Sequence, residues 1–317
     1  MIDDSLKYQP IGLTPASEMY EKEVDSMSVP FNDSGDCSCM ETCFTNNNIS
    51  DLNFEFNGLI DNFFQGEVGD CGLLSSLKSM SYSEKGNKII RDAITINADG
   101  SFSVAFNGIG IEIGISRQEL QEAIDSEIYS KGDNDVLLLE LATQKAKDKI
   151  INGEIEAPEC LKNGFDSELP SITACSMDDI VYLLTGNRAE YQYNWNNTNE
   201  DSFCANFQKG IFHGISTLMQ NSIEYVYNKL EKNPDDYCAI MMFQGSHSLA
   251  GEEITVQDVN TKQDVVLTIG DGVHAWSIKS VDGSNITLVN PWDSSIEYVV
   301  SQKSIRQYVL GIQYFKY

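Results

Sequence analysis

From Cys71 onward the apolar positions fall into segments with a definite period. Leu73, Leu74, Leu77 and Met80 recur at helical spacing behind the turn Gly66-Glu67-Val68-Gly69-Asp70, so a helix is expected to start near Cys71. Alternation over 101–106 and 109–115, split by Asn107-Gly108, predicts a hairpin. Helical periods return over 117–129, 135–151 and 177–184, the last closed by Gly186. The stretch 190–206 is aromatic and rich in Asn, and reads as a connection. A further helix fits 212–232. Alternating segments then dominate, at 237–243, 253–259, 264–269, 274–281, 285–290 and 296–300. A mostly helical half followed by a mostly antiparallel β half predicts an α+β fold. The expected division is 51–190 for the helical half and 191–317 for the β-rich half, with no internal repeat.

Residues 1–50 differ from the rest. They are rich in Ser, Asp, Glu and Asn and show no sustained period, which predicts an acidic arm, disordered in part or draped over the core. Either a regulatory or propeptide role or a plain tail fits it. The remaining length suits two packed units, at roughly 100–200 residues per unit. No run of about 18 apolar residues occurs, so no membrane span is expected. The opening MIDDSLKYQP carries acids where a signal peptide carries bases, so a cytoplasmic chain, or one exported without a classical signal peptide, is expected. With 48 acids against 21 bases, the net charge of −27 repels phosphate backbones and argues against nucleic-acid binding. It favours basic partners or substrates, and leaves the oligomeric state open.

Eight cysteines stand at 37, 39, 43, 71, 160, 175, 204 and 238, with spacings too irregular for a disulfide framework in a chain of this length. Cys37, Cys39 and Cys43 lack a second nearby pair or a histidine, so a flexible thiol-rich segment is favoured over a metal site. The carboxylate runs at 133–135 and 235–236 read as solvated turns, and no metal site is expected.

Three strings carry chemistry. In QGEVGDCGLL, at 65–74, Cys71 sits at a predicted helix N-terminus, where the helix dipole favours a thiolate. Gln65 lies close enough upstream for its amide to join the Cys71 backbone N–H as a two-donor oxyanion hole. His274, in VHAWS, and Asn290, in VNPWD, lie on consecutive segments that read as a hairpin about the turn Asp282-Gly283. Asn290 can then accept from the imidazole and fix its tautomer, while Trp292 roofs the pair. His213 and His247 have no such downstream partner and read as surface or helix-face residues.

These strings resemble calpain-family proteases of the papain-like fold, which carry Q-G-x-x-G-D-C-W-L-L, G-H-A-Y and R-N-P-W-G in the same order. The similarity extends to the strand pair and short helix at 101–120, to the helix at 138–153 with Glu140, Ala142 and Lys145, and to the segment ending at Thr185-Gly186. It covers about 54–317, the protease core alone. The resemblance implies a two-lobed cysteine endopeptidase acting on a protein or peptide, with Cys71 as nucleophile, His274 as general base, Asn290 as its orienter, Gln65 in the oxyanion hole and Trp292 in support. The same triad also serves glutamine deamidases and acyl or peptidyl transferases of the bacterial-effector kind, and the fold can persist as a non-catalytic binding module.

Three departures stand out. Gly72 replaces the family's Trp and is expected to loosen packing under the cleft. Asp293 replaces a Gly and is expected to place a charge near the imidazole. The interval from Cys71 to His274 is long, which implies insertions in the second half. In calpains calcium draws the halves together, and an Asp stands three residues before the Gln. Here that position is Asn62, with Asp61 beside it, and an amide brings less charge to calcium than a carboxylate. A core that needs no calcium and no other cofactor is therefore expected.

Overall fold

The computed structural model describes residues 56–126, 128–158, 161–162, 172, 175–193, 222–245, 252–268 and 272–317. The acidic arm with Cys37, Cys39 and Cys43, together with Cys160, Cys204, His213, His247 and the first part of the helix expected over 212–232, lies outside them. The described chain is α+β. Among the described residues no helix is long and apolar enough to cross a membrane.

Helix α1 (Cys71–Met80) begins where the sequence pattern places it. Every residue from Gly72 to Met80 is buried, so it is a core helix rather than an amphipathic surface one. Leu73, Leu74, Leu77 and Met80 fill apolar space, while its serines find internal acceptors: Ser76 Oγ donates to Gly72 O at 2.5 Å. Helix α2 (Glu84–Ala93) follows, with Ser83 accepting from Gly86 N at its start.

The segments β1 (Ile94–Ile96), β2 (Phe102–Phe106) and β3 (Ile111–Ile115) form a three-stranded antiparallel sheet, and Phe106 pairs with Ile111 across the expected turn. Helices α3 (Arg117–Ser126), α4 (Asn134–Ile151) and α5 (Met177–Thr185) complete this part. Asp133 caps α4 by accepting from Asp135 N and Val136 N, and α5 runs from a Ser176/Asp179 capping box to a left-handed Gly186 at φ 75°.

The second part is an eight-stranded sheet. Its strands are β4 (Glu190–Tyr193), β5 (Tyr237–Gly245), β6 (Glu253–Asp258), β7 (Asp264–Thr268), β8 (Gly272–Asp282), β9 (Asn285–Asn290), β10 (Asp293–Ser301) and β11 (Val309–Lys316). The spatial order is β4-β11-β5-β8-β9-β10-β6-β7. Helix α6 (Ser222–Lys232) packs on the sheet, and a short helix α7 (Gln302–Ile305) precedes β11.

The stretch read as a connection from 190 therefore opens with an edge strand, because Glu190–Tyr193 pairs with β11. Four elements have no counterpart in the sequence reading: α2, β1, α7 and β11. The last lies between β4 and β5, one strand in from the edge of the sheet.

Helix α1 lies directly on β8 and β5. Ser75 Oγ donates to Ala275 O at 2.9 Å, Ser277 Oγ to Ser75 O at 2.8 Å, and Ser79 Oγ to Ala239 O at 2.8 Å while accepting from Ala239 N. Each is buried, and leaving one unmade costs about 1–3 kcal/mol, so they set the register of helix on sheet.

Candidate active site

Strand β8 carries His274, and β9 ends at Asn290. The pair sits sixteen residues apart in sequence, with His274 Nε2 2.9 Å from Asn290 Oδ1. Trp292 N donates to the same oxygen at 3.1 Å, which identifies it as the amide oxygen. An oxygen acceptor there requires Nε2 to carry the proton, leaving Nδ1 as the free ring nitrogen. His274 is 7% exposed and Asn290 1%. The imidazole is enclosed by two indoles, each edge-on: Trp292 at 5.9 Å and 85°, and Trp276 at 6.4 Å and 83° between centroids. Trp276 has no role in the sequence reading, although it stands in the same string as His274.

Cys71 is half-buried at the first position of α1, and its thiol is a partner of the backbone of Ala275, the residue after His274. The cysteine thus lies against the strand that bears the histidine. Burial pushes the thiol up to about 11, against the pull of backbone N–H groups of Ala275, Gly72 and Cys71, and the neighbouring Asp70 adds to the rise. The helix N-terminus favours a thiolate, as the sequence suggests, but desolvation opposes it and is the larger effect. Burial likewise pushes the His274 imidazole down to about 4, with the Asn290 hydrogen bond opposing. Taken singly, each group is neutral at pH 7.

The segment before α1 is fastened to the turn between β9 and β10. Gln65 N donates to Pro291 O at 2.9 Å, Ser294 N to Phe63 O at 3.0 Å, and Phe63 N to Ser294 Oγ at 2.7 Å. On its other side Phe64 bridges Lys131, and Glu67 N and Val68 N donate to Ile128 O. Gly66 has no alternative here, because a Cβ would lie 2.1 Å from Ile128 O. The Gln65 backbone is therefore set beside Asn290 and Trp292.

The Gln65 side chain is turned inward. Its Nε2 donates to Val68 O at 2.8 Å and to Asp70 Oδ1 at 3.3 Å, so both amide protons have acceptors within the loop. Any oxyanion role requires the longer of these to be given up. Gln65 Oε1, Asn290 Nδ2 and Trp292 Nε1 are buried without a hydrogen-bond partner.

Gly72 does not loosen its surroundings. A Cβ there would lie 2.2 Å from Cys175 O, so the backbone ahead of α5 occupies the space. Asp293 accepts from Ser295 N at 3.0 Å and Ser295 Oγ at 2.5 Å, and is engaged there rather than with the imidazole. At the position compared with a calcium ligand, Asn62 Oδ1 faces a lysine: Lys78 Nζ lies 3.3 Å from it and 2.8 Å from Asp61 O. Among the described residues no group of three or more His, Cys, Asp or Glu side chains is arranged to hold a metal ion. No protein-family model matches the chain, and no curated protein matches it at a significant level.

Proposed function

We propose that the protein is a calpain-like cysteine endopeptidase of papain-like, two-lobed architecture. The observation that carries this reading is the His274–Asn290 hydrogen bond on the strand against which the Cys71 helix end is docked. With Nε2 committed to Asn290, Nδ1 is left to exchange a proton with the thiol. The two indoles keep water from the imidazole, which strengthens its hydrogen bond.

In the proposed reaction the Cys71 proton passes to His274 as sulfur attacks the scissile carbonyl, forming a C–S bond and an oxyanion. The backbone N–H of Cys71 and the Gln65 amide donate to that oxygen. The C–N bond breaks as His274 protonates the amine, leaving a thioester. Water then adds with His274 as base, the C–S bond breaks, and the thiol recovers its proton. The neutral resting pair makes proton transfer part of the attack step. The negative surface favours basic substrate segments.

The test is cleavage of a denatured basic protein by the full chain, compared with Cys71→Ala. Peptide products that disappear in the variant support the reading. Ammonia released from protein glutamine without chain cleavage would assign the triad to a deamidase instead.

A further inference from the structure

Asp70 and Glu140 come from different elements, the turn before α1 and the middle of α4, and both are fully buried. Each has one oxygen held. Asp70 Oδ1 accepts from Gln65 Nε2 at 3.3 Å, and Glu140 Oε2 from Ser130 N at 2.9 Å. Their other oxygens, Asp70 Oδ2 and Glu140 Oε1, are buried without a hydrogen-bond partner. The segment 64–68, whose Gln65 holds Asp70, is paired with 128–131, whose Ser130 holds Glu140, so the two carboxyls are brought to one buried place and each acts on the other's protonation. Two buried negative charges side by side cannot both persist, and one proton between the two unpartnered oxygens satisfies both.

We propose that Asp70 and Glu140 share a single proton, and that this proton holds the turn carrying Gln65 and Cys71, making the pair a positioning element for the nucleophile. Asp70 does not cap the helix it precedes: its side chain makes no cap hydrogen bond, and its Oδ1 accepts from Gln65 instead. The proton completes a chain from Ser130 N through Glu140 and Asp70 to the Gln65 amide. Loss of the proton leaves like charges facing each other, and the turn must open to admit water. Burial, then the charge of Glu140, holds the Asp70 carboxyl well above the usual carboxylate range, as this arrangement requires. The consequence for Cys71 rests on the proposed nucleophile; the shared proton itself does not.

Other ionisable groups surround the pair. The Cys71 and Cys175 thiols and the Tyr129 hydroxyl all feel the Asp70 charge, while Lys147 acts on Cys175 and Asp148 on Tyr129. Because the folded pair holds a proton that the unfolded chain releases above about pH 4, its contribution to stability declines as pH rises. Asp135 and Asp179, each raised to about 6, act in the same sense, and His274, lowered to about 4, in the opposite sense. Only a difference between wild type and a variant at the pair isolates it.

Asp70→Asn keeps the shape and replaces the shared proton with a permanent N–H to Glu140. Glu140→Gln does the same in reverse and leaves the charge on Asp70, beside Cys71. Infrared spectroscopy of the full wild-type chain at about pH 8 is expected to show a protonated carboxyl band that Asp70→Asn removes. The wild-type Tm is expected to fall relative to Asp70→Asn by about 3 °C or more between pH 6 and 9. The pH midpoint for alkylation of Cys71 is expected to be higher in Glu140→Gln than in Asp70→Asn. No protonated carboxyl in the wild type at that pH would overturn the shared proton, even if both variants fail to fold. Equal alkylation midpoints would overturn the positioning role. None of these readouts depends on peptide cleavage, so absence of protease activity leaves them intact.

Discussion

Replacing Gly72 by alanine sets two effects of known size against each other. Alanine is favoured over glycine in a helix by about 1 kcal/mol in the interior, and by less this close to the N-terminus. Against that, the new Cβ would lie 2.2 Å from Cys175 O and 3.3 Å from Cys175 C. An ordinary contact needs roughly 3.4 Å, so one backbone must move by about 1 Å. Neither backbone is free to yield. Cys175 N donates to Ile172 O and the next residue opens the Ser176/Asp179 capping box, while α1 is stitched to β8 through Ser75 and Ser277. Overpacking of this kind costs about 1–3 kcal/mol, and a backbone obstacle puts it toward the upper end. The steric term wins, for a net loss of about 1–2 kcal/mol, or a Tm lower by about 2–6 °C. The assay is thermal unfolding of Gly72→Ala beside Gly114→Ala, where nothing lies within 4 Å of the added methyl. A Gly72→Ala protein as stable as the wild type, with Gly114→Ala unchanged, would refute the reasoning.

Other outcomes follow from the same geometry. Cys71→Ala is expected to abolish turnover, whereas Asn290→Ala should leave a measurable remnant, because the orienter sets imidazole geometry without forming a bond to substrate; equal residual rates would remove the distinction. Gln65→Ala is expected to slow turnover about 100- to 1,000-fold if its amide re-aims toward the oxyanion, and an unchanged rate in folded protein would leave Gln65 with only its loop role. Activity and Tm are expected to be the same in chelator and in millimolar calcium, since Asn62 and Asp61 O are engaged by the Lys78 ammonium; a rise of several degrees with calcium would contradict this.

The helix at Cys71 is legible because its leucines recur at helical spacing, and β9 because Ile286, Thr287 and Leu288 alternate; β8, buried continuously from His274 to Ile278, is placed by the Asp282-Gly283 turn that joins it to β9. Strand β11 is harder to read: VLGIQYFK is buried at nearly every position from Val309 to Phe315, so it shows no alternation. Helix α2 is masked by the polar run EKGNK, with only Gly86, Ile90 and Ala93 buried. The fastening of Phe63 and Gln65 to 291–294 is made largely through backbone groups, which any residue possesses. Gly72 illustrates the converse: a missing side chain looks like lost packing until the backbone that fills the gap is known. Asp70 is readable as a turn residue, but its partner Glu140 lies seventy positions away, and their juxtaposition depends on how α4 packs.

The central claim is that Cys71 is the working nucleophile of a thiol protease, activated by His274. Its most direct test is incubation of the full chain with an epoxysuccinyl thiol-protease inhibitor, followed by mass-spectrometric mapping of the adduct in wild type and His274→Ala. The expected result is a single adduct on Cys71 in the wild type, formed much more slowly in the variant. An adduct on another cysteine with Cys71 unmodified, or labelling of Cys71 that is indifferent to His274, would contradict the account.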